Sequence, residues 1–364
     1  MENKITKFIE IVVPTWPCNF RCHYCYVGQH ANDKQRGYCE NFQYPPAKLA
    51  EALNKQRLGG YAIINFCANG ETLLPSGNLG YIKAMLQEGH YVMVVSNMTM
   101  TKQIEALLQL PAEQRARLFF KASFHWLELK RLKLLDVFTQ NVNQAWLSGA
   151  SITIEITPSD ELEPCIDEIK EYSLRHFGAL PHITVPRDEK DDYKILTKHS
   201  KEKFAQIWGT FNSDLFNFKM AVWGKKINDF CYAGTYAYSI NLANGDISRC
   251  SSCGKIGNLF SRPDQKLPDS PAGYKCPFPH CFNSHAWLVF GCVPALKTPT
   301  YAQIRDRIRT DGTHWLHPAW QQAFTFRAFQ ANPQYGFWRK VYASFRFRRK
   351  GRHSLWWHIK NWNF

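Results

Sequence analysis

The residues best able to do chemistry are cysteines, and they fall into two groups. The first reads Cys18-Asn-Phe-Arg-Cys22-His-Tyr-Cys25-Tyr. Spacings of three and two residues let three thiolates converge from one loop on a cubane [4Fe-4S] cluster while its fourth iron keeps a coordination position for a substrate or cosubstrate. The competing reading is zinc held by the three cysteines and His23, or a partial zinc ribbon. The second group runs from Cys231 through Cys250, Cys253, Cys276 and Cys281 to Cys292, with an Asn244-Gly245 turn between two strand-like runs. That turn sets Cys231 and Cys250 on neighbouring strands. Four thiolates of this group suit one iron-sulfur cluster or a zinc knuckle, since spacing does not identify the metal. Cys39, Cys67 and Cys165 are scattered and read as small buried apolar residues.

What must position these loops is visible in the periodicity. Apolar runs at Phe8–Val13, Ala62–Cys67, Tyr91–Val95, Leu118–Ser123, Ser151–Thr157 and His182–Val185 read as strands. Helical patterns at Pro46–Lys55, Gly80–Glu88, Lys102–Leu110, Leu127–Leu134 and Leu162–Phe177 fall between them. Strands alternating with helices predict a parallel sheet, open or curled into a partial barrel, with its chemistry on the rim where the strands end. The polar residues at that rim are Glu71, Ser96 and Asn97, Ser123 and His125, Glu155, and Arg187. Near residue 200 the alternation stops, and short strands, turns and cysteines take over from Asn228 to Pro299. A helix is expected at Tyr301–Arg309. The 364 residues, 45% apolar and 21% charged, exceed one core and exclude a disordered or collagen-like chain. The domain reading is 1–215 for the barrel, 216–300 for a small metal-stapled unit, and 301–364 for an extension.

With those residues in place, Cys18-x3-Cys22-x2-Cys25 after a first strand resembles the signature loop of the radical S-adenosylmethionine (SAM) superfamily. The resemblance implies an α/β fold, a partial (β/α)6 TIM-like barrel. It also implies a [4Fe-4S] cluster held by Cys18, Cys22 and Cys25 that binds SAM and cleaves it reductively. The resulting 5′-deoxyadenosyl radical would abstract hydrogen from a substrate. Ala68-Asn69-Gly70-Glu71 stands where the family has a Gly-Gly-Glu-like turn, making Glu71 the candidate partner of the methionine amino group. Asn69 replaces the first glycine, a departure because asparagine tolerates positive φ less freely. Ser96-Asn97 resembles the step after the third strand; Ser123, Glu155 and Arg187 take positions of ribose, substrate and carboxylate contacts. Cys231-x13-Gly245-x4-Cys250, followed by Gly257-Asn258-Leu259, resembles the opening of SPASM and twitch auxiliary domains. The full SPASM cysteine run is absent, so one auxiliary [4Fe-4S] cluster on Cys231, Cys250, Cys276 and Cys281 is expected, with Cys253 and Cys292 as alternatives.

The family implies a peptide or protein substrate first and a sugar or lipid-linked glycan of a surface-polysaccharide pathway second. It also implies an electron donor such as flavodoxin or ferredoxin. Only about seven residues precede the first strand, so no fused leader-recognition domain is expected. Residues 301–364 hold 12 Lys plus Arg against two Asp, a net +10 of the chain's +15. This basic extension, rich in Trp and Phe, reads as a cap with a solvated basic face, as a peripheral contact with an anionic membrane, or as a grip on nucleic acid. No nucleic-acid module is evident, and nucleic acid is the least expected. A non-enzymatic zinc or iron-sulfur protein binding nucleic acid or membrane is the other functional class. No apolar run reaches the roughly 18 residues needed to cross a bilayer, and no secretory signal is recognisable, so a cytoplasmic protein is expected.

Overall fold

The computed structural model describes residues 4–29, 41–191, 193–251, 253–274 and 276–345. The six apolar runs form β1 (Ile5–Val13), β2 (Tyr61–Ala68), β3 (Tyr91–Ser96), β4 (Leu118–Ser123), β5 (Ser151–Ile156) and β6 (His182–Ile183). Each pairs in parallel with the next. The crossovers carry α1 (Pro46–Ala52), α2 (Asn78–Gln87), α3 (Thr101–Leu108), α4 (Leu135–Leu147) and α5 (Ile166–Phe177). Their apolar sides, among them Leu49, Ile82, Ile104, Val142 and Ile169, pack with Ile9, Ile64, Val94, Phe120 and Ile154 in one buried cluster on the outer face of the sheet.

The sheet is curled. In a flat sheet β6 would lie five strand spacings from β1, about 24 Å. Instead Glu10 on β1 feels the charges of Arg187, beyond β6, and of Lys121 on β4. The Arg187 guanidinium carbon also stands 3.9 Å from the ring centre of Tyr26, in the loop after β1.

Three helices differ from the sequence reading. The helix expected at Leu127–Leu134 stops at Arg131, Lys133 takes a φ of 56°, and α4 then begins at Leu135. The stretch expected as one helix at Leu162–Phe177 opens as a 3-10 turn over Asp160–Cys165, where Pro164 has no N–H to donate, and becomes α5 only at Ile166. The helix expected at Tyr301–Arg309 ends at Arg305. Two further helices, α6 (Lys201–Gly209) and α7 (Asp214–Val222), follow the sixth strand, started by Ser200 and Ser213, whose hydroxyls accept the N–H of Lys203 and Phe216.

The cysteine-rich region continues the same sheet. β7 (Ala237–Asn241) pairs in parallel with β1 on the side away from β2, and β8 (Asp246–Cys250) and β9 (Cys253–Asn258) follow antiparallel. Gly245 makes the turn between β7 and β8 at φ 75°. Beyond the hairpins come α8 (Ser284–Trp287), α9 (Tyr301–Arg305), α10 (Pro318–Ala323) and α11 (Ala328–Ala331). They close the inside of the curl at the end where the strands begin. There Phe8, Ile63, Met93 and Phe119 meet Trp287, Phe290, Trp320 and Phe324 in a second buried cluster. Phe8 stacks on Phe290 at 4.6 Å, and Trp320 donates its indole N–H to the Leu118 carbonyl at 3.1 Å. Burying each such ring stabilises the closure by about 2–3 kcal/mol. Phe337, Trp338, Tyr342 and Phe345 are exposed. The remaining basic and aromatic extension lies outside the described residues, as does Cys39. Among the described residues no helix is long and apolar enough to cross a membrane.

Candidate functional site

The first cysteine loop leaves β1 at Pro14 and is held down by its own aromatics. Phe20 is buried against the outer core, and the Tyr24 hydroxyl meets His125 Nδ1 at 2.8 Å. With those rings anchored, Cys18, Cys22 and Cys25 stand half-buried at the strand ends. Burial pushes the Cys18 thiol up to about 11 and the Cys22 thiol to about 12, and nearby thiols add to both shifts. Loading this loop with metal therefore releases protons.

The loops after β2 and β3 are tied to it. Gly70 donates to the Thr15 carbonyl at 2.6 Å and Glu71 to that of Pro17 at 3.0 Å. A Cβ on Gly70 would fall 2.1 Å from the Pro17 oxygen, so only glycine fits. Asn69 adopts no positive φ, and the missing first glycine costs no strain here. Glu71 is buried, and its carboxylate accepts from Leu73 N at 3.0 Å, Ser96 Oγ at 2.7 Å and Asn97 N at 2.8 Å. Asn97 in turn donates through Nδ2 to Asn19 Oδ1 at 2.7 Å, inside the cysteine loop. Glu71, Ser96 and Asn97 thus form one network fixing three loops, and the carboxylate's first duty is to hold the β2 and β3 exits together.

Ser123 ends β4 in register with Glu155 on β5. The Glu155 carboxylate takes Lys121 Nζ at 3.1 Å on one oxygen and the Arg305 guanidinium on the other. Although burial opposes ionisation, the charges of Lys121 and Arg305 hold the group well below the usual carboxylate range. Arg187 pairs with Glu189 at 2.5 Å, and Gln29 donates to the Arg187 carbonyl at 3.0 Å, which fastens the far end of the cysteine loop to the β6 exit.

Between these loops and the aromatic floor the curl is hollow. Inward-pointing Glu10, Asn65, Cys67, Val95, Lys121 and Ser123 all keep partial exposure, while the outward Ile9, Ile64, Phe66, Val94, Phe120 and Ala122 keep none. Cys67 therefore lines a lumen, where a buried apolar filler was expected. Lys219 from α7 enters the same space, its Nζ donating to the Thr184 hydroxyl at 2.7 Å. Sequence reasoning passed over this lining. Its signal was a polar residue at an inward position of three otherwise apolar strands, Glu10 on β1, Asn65 on β2 and Lys121 on β4. Lys219 and Arg305 left no such trace, because they reach the lumen by tertiary packing.

The second cysteine group also assembles. Cys231 pairs with Gly273 in an isolated bridge, while Cys250 and Cys253 face each other across β8 and β9. Cys250 and Cys276 lie close enough to Cys253 to raise its thiol, and Cys281 and Cys292, raised chiefly by burial, are raised further by the nearby Cys231 and Cys250. Expected ligands Cys231, Cys250, Cys276 and Cys281 are thus together, and Cys253 and Cys292 belong to the same group.

The spacing of the first group suits a multi-iron cluster better than one zinc. Zinc with bonds of about 2.3 Å sets its sulfurs about 3.8 Å apart. Among the described residues, the only three Cys, His, Asp or Glu side chains with ligand atoms all within 4.8 Å are Asp160, Glu163 and His199. His23 points its Nε2 at Glu161, 2.8 Å away, and is thereby engaged elsewhere.

No protein-family model matches the chain, and no curated protein matches it. Among solved structures, SuiB of Streptococcus suis bound to S-adenosylmethionine matches with a TM-score of 0.49 at 15% identity, covering 70% of this chain and 64% of SuiB. SuiB bound to the precursor peptide SuiA gives 0.48 at 15% identity, over 71% of this chain and 64% of SuiB. Native anSMEcpe with bound AdoMet and Cp18Cys peptide gives 0.47 at 11% identity, over 70% of this chain and 78% of its own. The match to SuiB spans less than two thirds of that protein's length.

Proposed function

We propose that this chain is a radical SAM enzyme acting on a peptide or protein. The observation that carries the reading is Cys18, Cys22 and Cys25 in one loop at the exit of β1, hydrogen-bonded to the loops after β2 and β3 above a hollow lumen. When bound, a reduced [4Fe-4S] cluster supplies one electron to the SAM sulfonium, which breaks to methionine and a 5′-deoxyadenosyl radical able to take hydrogen from an unactivated carbon. The chain's own part is positioning. The three thiolates would hold the cluster, and Glu71, whose Oε2 accepts from Asn97 N, would supply the acceptor for the methionine ammonium. Ser96 and Asn97 keep that carboxylate in place, Ser123 and Arg187 border the mouth, and the aromatic floor excludes water from below. Cys231, Cys250, Cys276 and Cys281, with Cys253 beside them, would hold the auxiliary cluster. Its resemblance to SPASM and twitch domains is what favours a peptide over a glycan. Electrons would come from a flavodoxin or ferredoxin.

Anaerobic reconstitution tests this directly. Wild type should bind about eight irons, two cubanes' worth, and release 5′-deoxyadenosine from SAM under reductant. Replacing Cys18, Cys22 and Cys25 together by Ala should remove one cluster and all cleavage. Retained 5′-deoxyadenosine, or stoichiometric zinc with no SAM turnover in the wild type, would sink the assignment.

A further inference from the structure

We propose that the lumen binds an acidic residue of the peptide substrate, with its side-chain carboxylate seated against Lys219. The inference rests on the peptide reading above and goes beyond it by naming what the lumen selects. Four cations converge on this space: Lys121, Arg187, Lys219 and Arg305. Three carboxylates answer them: Glu155 shared between Lys121 and Arg305, Glu189 on Arg187, and Glu10. Among the described residues, with all three ionised and Lys219 protonated, one positive charge is unbalanced, and burial without a counter-charge lowers the Lys219 ammonium to about 7. Among the described residues Lys219 has no carboxylate partner, and a buried ammonium donating to a single hydroxyl retains two unused donors. A cation taken out of water without a counter-charge is costly, and a ligand carboxylate arriving in the lumen removes that cost.

The opposite wall has the complementary need. Glu10 and Asn65 are register partners on β1 and β2; Ser239 and Ser251 engage the Glu10 carboxyl, while among the described residues Glu10 Oε2 and Asn65 Oδ1 are buried acceptors without hydrogen-bond partners. A lumen with donors on the β4 to β6 side and empty acceptors on the β1 and β2 side fits an amino-acid residue, carboxylate toward Lys219 and backbone N–H toward Glu10 and Asn65. Burial keeps His182 and His285 neutral, so neither adds charge to this count.

The test uses the reconstituted full chain without reductant and two capped tripeptides, acetyl-Gly-Glu-Gly-amide and its uncharged counterpart acetyl-Gly-Gln-Gly-amide, titrated by calorimetry. Wild type should prefer the glutamate peptide by about tenfold, the scale of one charge-assisted hydrogen bond. Lys219→Met should abolish that preference, Lys219→Arg should retain it, and the exposed control Lys198→Gln should leave it unchanged. Equal binding of the two peptides by wild type, or by Lys219→Arg if the methionine variant fails to fold, overturns the proposal. So does loss of the preference on adding SAM, which would assign Lys219 to the carboxylate of SAM itself. Binding is read without turnover, so a preference for glutamate in a protein that makes no 5′-deoxyadenosine would refute the SAM reading alone.

Discussion

Gly70 shows how little room the amino-terminal site leaves. Its N–H reaches the Thr15 carbonyl, and the space a methyl would need is already filled by the carbonyls of Trp16 and Pro17. Gly70→Ala must therefore push the cysteine loop away from β2 before the sheet itself is touched. The variant should keep wild-type far-ultraviolet circular dichroism and lose the iron of the first site. Full iron content would mean that the loop tolerates the shift. Glu71 next to it illustrates what sequence can and cannot tell. Its place after β2 was readable from the apolar run ending in Asn69-Gly70. That its carboxylate is committed to Leu73, Ser96 and Asn97 was not, because those bonds depend on how two strand exits meet.

At the scale of elements, the six parallel strands were legible because each is a short apolar run closed by turn residues, a signal that needs no tertiary knowledge. The α4 helix was not, since Thr139 and Asn141 interrupt its buried side and the break at Lys133 gives no local warning. The β8–β9 hairpin carries Cys250 and Cys253 at its turn, while Cys231, Cys276, Cys281 and Cys292 come from segments outside the hairpins, so metal and hairpin should depend on each other. Replacing Cys231 and Cys250 by Ala should remove one cluster's iron and open the hairpins to proteolysis, because metal binding is folding free energy in a stapled element. The amino-terminal iron should remain. Unchanged iron in the double variant would shift the site to Cys253, Cys276, Cys281 and Cys292.

Across the whole molecule, the barrel is closed by residues far away in sequence. Trp320 has no exposed surface and packs on Tyr91, Phe119 and Phe324. Trp320→Ala should cost about 3–5 kcal/mol of stability, read as a lower denaturant midpoint. An unaltered midpoint would mean that the floor is dispensable. Arg57 draws the other side together, its guanidinium donating to the carbonyls of Ala52, Leu259, Arg262 and Gln265. The place of β7 was hidden from sequence for the same reason of distance: Phe8 pairs with Ala237, and nothing near either residue announces the other. That pairing has a consequence for how the chain is made. β1 leaves the ribosome long before β7, and one of its two edges stays unpaired until β7 has been synthesised more than two hundred residues later. For that whole interval the nascent chain carries an open strand edge, Ile9 and Ile11 among its side chains, that any other strand could capture. Aggregation during synthesis should therefore depend on elongation and chaperone supply up to the moment β7 emerges, and fall once it has docked.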